Sequence, residues 1–188
     1  MYTKTLIASI LASLAAAAPA PVARDNSVFA MIVIHSGSPI QGAAISENGL
    51  KFWISKPTET YCPESVEGKE TALSVNNDSG LAGMHTTVPG GQLAYVTEDG
   101  QFSVTQAHSA AIPAGASQTG FKYNPQPEAG MVGELLFNGQ GLSACPTGEP
   151  TDNSIAIYQI YANGASGFTQ TNCTGITIGT AEVDAPPV

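Results

Sequence analysis

Three cysteines, Cys62, Cys145 and Cys173, carry the most reactive chemistry in this chain of 188 residues. Thiols of this kind pair into disulfides in oxidising compartments and stay reduced in the cytosol. Cys145, in "GLSACP", follows a strand-like run, and Cys173, in "TNCTG", sits in a turn that leads into the last strand-like run. A bridge between them closes a loop of roughly 30 residues and stabilises by about 3 kcal/mol in the chain-entropy picture. Cys62, in "ETYCPES", is flanked by proline and acid, as in an exposed loop. It is left over as either a buried spectator or a free thiol open to an intermolecular bond.

The remaining chemistry-bearing residues are spread thinly. His35 stands beside Ser36 and Ser38 in "IVIHSGS", a base next to two hydroxyls. A catalytic triad is not read from neighbours in sequence, and no Gly-x-Ser-x-Gly elbow occurs, so a strand-end histidine bonded to backbone is the expectation. His85 and His108 fall in separate strand-like runs, with no spacing suited to a metal. Most of the fifteen carboxylates lie in turns such as "TEDGQ" and "SENG", where solvated surface is expected rather than a glycosidase pair. The reading is therefore no catalytic residue, no cofactor and no metal. Trp53, the single tryptophan, alternates away from Phe52 and is a candidate for stacking against a glycan if Phe52 is core. Two sequons, "NDS" at Asn77 and "NCT" at Asn172, are candidate N-glycosylation sites. Asn77 lies in a turn and ranks first. Asn172 adjoins a cysteine expected to be bridged, which hinders modification.

Whether any of this chemistry operates depends on the compartment. "MYTKTLIASILASLAAAAPAP" has a lone Lys4, an apolar run and then small residues, the build of a secretory signal peptide over residues 1–18. Cleavage is expected near Ala17 or Ala18, with Arg24 a second trimming point and residues 19–27 a flexible lead-in. The rest, residues 28–184, is long enough for one domain with its own core. The formal net charge is −9, with only 6 Lys and Arg. That balance offers no electrostatic footprint for nucleic acid or an anionic membrane. No stalk rich in Ser and Thr and no lipid-anchor tail is read at the end of the chain.

The positioning elements read as strand and turn throughout. "VFAMIVI", "LKFWIS", "TALSV", "QLAYVT", "QFSVTQAH", "GELLF", "SIAIYQIYA" and "GITIGTAEV" are β-branched or alternating runs, punctuated by "NNDSG", "PGG" and "EDG". No window carries a capped helical period. The expected fold is all-β, one compact domain of about a dozen short strands. Three loose blocks starting near Phe29, Ala72 and Phe121, each about 45 to 50 residues, favour a β-trefoil-like barrel, with a β-sandwich as the alternative.

Four segments, "FAMIVIHSGSPIQG", "GELLFNGQGLSACP", "YQIYANG" and "NCTGITIGTAEV", resemble in order those of fungal phialide-type cell-wall proteins, the PhiA-like family. Members carry a leading strand ending in Ser-Gly-Ser, a Leu-x-Phe strand before Ala-Cys-Pro, and a late Cys-Thr-Gly. They often have a further cysteine at the mature amino terminus, which "APAPVARDNS" lacks. The resemblance implies a secreted, noncatalytic wall glycoprotein of phialides and conidia, in contact with wall polysaccharide or other wall proteins. The second expectation is a secreted carbohydrate-binding or effector-like protein.

Overall fold

The computed structural model describes residues 27–59, 71–128, 130–150 and 156–183. The expected signal peptide, residues 19–26 and Cys62 lie outside the described residues. Among those described there is no helix. Twelve strands form one antiparallel sheet: β1 Val28–Ile34, β2 Ile45–Asn48, β3 Lys51–Ile54, β4 Ala72–Asn76, β5 Leu81–Met84, β6 Ala94–Val96, β7 Phe102–Val104, β8 Phe121–Asn124, β9 Gly133–Phe137, β10 Leu142–Pro150, β11 Ala156–Ala162 and β12 Thr174–Glu182.

Period-2 patterning decides which face of each strand is buried. In β1 every second residue, Phe29, Met31 and Val33, is buried. In β3 it is Phe52 and Ile54, with Lys51 and Trp53 turned the other way. Turn chemistry sets the hairpins. Asn138 and Gly139 join β9 to Gln140 with φ of 49° and 71°, the doubly positive backbone that an Asn-Gly pair adopts at low cost. Gly49 and Leu50, at 60° and 63°, do the same between β2 and β3.

The pairing has a threefold scheme. One ribbon runs β5-β4-β1-β12-β9-β8, and a second set contains the hairpins β2–β3, β6–β7 and β10–β11. The hairpins meet one another: Lys51 pairs with Ser103, Gln159 with Trp53, and Gln101 with Tyr161. β12 belongs to both sets, because its first residues pair with β10 and the rest with β1 and β9. Within this scheme the groups are β1–β4, β5–β8 and β9–β12, so the second and third sequence blocks began a strand early.

The sheet does not close into a barrel. No ladder joins β5 to β8, and layering of the ribbon against the hairpins is compatible with the sandwich alternative. The reason lies in the turn after β4. Asn77 accepts from the backbone N–H of Tyr123 and donates to its carbonyl, both at 2.8 Å, and Phe121 N–H donates to Gly80 O at 3.1 Å. A side chain therefore occupies the place of a strand pair. The approach is close enough that a Cβ on Gly80, already at φ 69°, would lie 2.8 Å from the nitrogen of Gly120.

The core lies between the two sets. Phe52 stacks on Phe102 at 4.0 Å, Phe102 meets Phe121 at 5.5 Å, and Phe121 meets Phe137 edge-on at 5.1 Å. This chain of rings ties the hairpins β2–β3 and β6–β7 to the pair β8–β9.

Candidate functional site: the outer face of the hairpin layer

Residues that alternate with the core positions of the hairpins share a second face, much of which is also buried. Phe52, Phe102, Ile160, Leu142 and Ala144 are buried inward. Trp53, Ser103, Gln159, Ser143 and Cys145 therefore stand on the opposite side, and the register sets Trp53 beside Gln159 and Gln159 beside Cys145. Tyr161 follows Gln159 on this face, next to Ser143.

Trp53 is half-buried and fixed in place. Its indole N–H donates to Asn48 O at 2.7 Å, and Lys56 Nζ sits 4.4 Å from the ring centroid. Asn48 in turn donates from Nδ2 to Pro57 O at 3.0 Å, and the Ser46 hydroxyl donates to Lys56 O. The chain leaving β3 is thus folded back on its own hairpin, and an aromatic held this way loses little entropy when something stacks on it. Lys56 occupies part of that ring surface as a cation on the π face.

Gln159 carries the clearest chemical signal. It is only 8% exposed, and its Nε2 has no hydrogen-bond partner among the described residues. A buried N–H left unmade costs about 1–3 kcal/mol. It lies on the same face as Trp53 and the disulfide, with its Nε2 closed to solvent. Ser143, also buried, is satisfied instead, donating to Asn163 Oδ1 at 2.6 Å.

Cys145 and Cys173 are bonded, with Cα atoms 4.1 Å apart. Leu142, Ser143 and Ala144 pair in turn with Ile176, Gly175 and Thr174, so the bridge occupies the next rung of that ladder. The expected pairing is thus the observed one, and it fixes the edge of the candidate face.

The other sequence candidates lie elsewhere. Ser38 donates its hydroxyl to the backbone carbonyl of His35 at 2.8 Å, so this pair shapes a turn. Gln41 Oε1 accepts from His35 N–H at 2.6 Å, closing the same turn. His85 follows β5 and His108 lies in the loop after β7, and among the described residues no group of three or more His, Cys, Asp or Glu could hold a metal ion. Asn77 sits at the seam beside β8. Asn172 is exposed, beside the bridge.

An acidic pair buttresses the β2–β3 turn behind Trp53, which sequence reading missed because Glu59 is brought in from a loop. Glu47 Oε1 accepts from Leu50 N–H at 2.6 Å, and Glu59 Oε2 from Gly49 N–H at 3.0 Å. Burial raises the Glu47 carboxyl above its ordinary value of 4.5; the Leu50 N–H opposes the rise, and the Glu59 charge adds to it. A carboxyl so raised holds its proton more tightly in the folded chain than in the unfolded one. Its stabilising contribution is therefore complete in acid and is lost as pH rises through the raised value. Glu47→Gln keeps the acceptor for Leu50 without the charge. It is expected to melt slightly above the wild type at about pH 7 and together with it below about pH 4. Melting curves offset equally at both pH values would refute this.

Residues 29–188 match the PhiA-like secreted protein family. The chain belongs to that family. It is also 38% identical over 128 residues to an uncharacterized secreted protein of Arthroderma benhamiae, covering 66% of this chain and 60% of that protein. No solved structure matches it. Family membership agrees with the signal-like amino terminus and with a cross-strand disulfide, which persists in oxidising surroundings.

Proposed function

We propose that this PhiA-like protein is a noncatalytic constituent of the fungal cell wall with a structural or developmental role in phialides and conidia. The observation that carries this reading is family membership over nearly all of the folded domain. Its design is consistent with durability outside the cell: short strands, a braced ladder and a surface poor in positive charge. A tagged full-length chain expressed in a conidiating fungus is expected in wall fractions of phialides and conidia. Recovery in the culture medium alone would overturn the reading.

A second reading, retention through wall polysaccharide, is favoured by Gln159. The pinned Trp53 offers a partly covered ring, and Gln159 Nε2, buried beside it and without a partner among the described residues, becomes a donor for a sugar hydroxyl once that face is opened. A platform with one amide at its floor is the usual economy of a carbohydrate site. In sedimentation with insoluble β-glucan or chitin, the secreted protein is expected in the pellet. Trp53→Ala should weaken binding about tenfold, the scale of one aromatic contact. Gln159→Leu should also weaken binding while holding or raising the melting temperature, because it removes an unmet donor. Unchanged pelleting of both variants would reject this face.

A further inference from the structure

The two sequons are not equivalent in the folded chain. Asn77 Oδ1 accepts from Tyr123 N–H, and its Nδ2 donates to Tyr123 O, each at 2.8 Å. This is a cyclic amide pair, made by one side chain with both backbone groups of one residue. Only one of the two Nδ2 hydrogens can take part in such a ring, the one on the same side of the planar amide as Oδ1. The other hydrogen points away from Tyr123.

An N-glycan replaces one of those hydrogens, and the chemistry of amides decides which. A glycosylated asparagine is a secondary amide, and secondary amides are strongly trans. In the trans form the sugar carbon lies on the carbonyl side and the remaining hydrogen points away. The sugar therefore takes the place of the hydrogen that donates to Tyr123. A glycan at Asn77 and the pair with Tyr123 exclude each other.

The pair sits where it is hard to do without. β5 and β8 share no ladder, and the seam there is held by Asn77 together with the bond from Phe121 N–H to Gly80 O. A chain glycosylated at Asn77 would fold with that seam open and a sugar pressed against β8. Asn172 has no such duty. It is exposed, its side chain makes no hydrogen bond among the described residues, and the hydroxyl residue of its sequon, Thr174, is exposed too.

We infer that Asn172 is the N-glycan-bearing residue of the secreted protein and that Asn77, despite its sequon, is kept unmodified as the stitch that joins the β4–β5 turn to β8. The ranking from sequence, which favoured Asn77, is thereby reversed.

The test is site mapping of the full chain secreted from a fungal host. Enzymatic removal of N-glycans in ¹⁸O-water converts each occupied asparagine to labelled aspartate. Label is expected at Asn172 and not at Asn77. Thr174→Ala should abolish the glycan mass. Ser79→Ala, which deletes the other sequon while leaving the Asn77 amide in place, should leave the mass unchanged. Asn77→Asp keeps the acceptor and loses the donor, and is expected to secrete poorly or melt lower than Ser79→Ala. Label at Asn77 in the folded secreted pool, or absence of label at Asn172, would overturn the inference. Equal melting of Asn77→Asp and Ser79→Ala would overturn the stitch.

Discussion

Phe102→Ala is expected to destabilise the fold by about 3–5 kcal/mol, the range for emptying a fully buried aromatic site. The side chain is 0% exposed, stacks on Phe52 at 4.0 Å and meets Phe121 at 5.5 Å. Its removal does more than lose transfer free energy. It breaks the chain of rings that passes from one hairpin through another to β8 and β9, and the strands on either side are too short to hold by ladder bonds alone. β7 has three residues, and β6 has three. Tyr95→Ala is the control. Tyr95 pairs with Ser103 on the outward face of the same hairpin, and its loss should cost below about 1 kcal/mol. Denaturant titration of both variants checks this, and a loss at Phe102 no larger than at Tyr95 would mean that the ring chain does not hold the core.

Cys145→Ser and Cys173→Ser should each cost about 3–4 kcal/mol, and the double variant little more than either. The two sulfurs form one bond across 28 residues, so the first replacement already removes all of its effect on the unfolded chain. The bridge extends a ladder that ends at Ala144 and Thr174, and β11 lies within the segment it closes. Reducing the bond should therefore loosen the edge of the hairpin layer beside Gln159 before it loosens β1 or β4. Hydrogen exchange would resolve the order, and denaturation gives the magnitude. A double variant costing the sum of the two singles would show that each cysteine acts through packing, not through their bond.

These two effects also bound what the candidate face can tolerate. Trp53 is held by Asn48 and Lys56, within its own hairpin and the segment just after it. Gln159 depends on β11 staying between β10 and β3. Loss of the bridge is therefore expected to disturb Gln159 more than Trp53.

The amino-acid sequence by itself determined the fold class, because alternation in "VFAMIVI" and "LKFWIS" and turn residues such as Asn138-Gly139 act within a few residues of one another. It also determined the disulfide, since an oxidising destination and two cysteines at strand ends leave few pairings. The outward placement of Trp53 follows from the same period of two that buries Phe52. Only the tertiary structure decided what depends on distant segments meeting. The seam at Asn77 pairs residues 46 apart, and in sequence it was merely a sequon in a turn. Gln159 reads as one more polar residue of a strand until Trp53 and Cys145 are placed on either side and its Nε2 is left without a partner among the described residues. Glu59 meets the Gly49 amide only because the chain folds back after β3. Barrel closure was unreadable for the same reason: it turns on whether β5 reaches β8, and a side-chain amide reached Tyr123 instead.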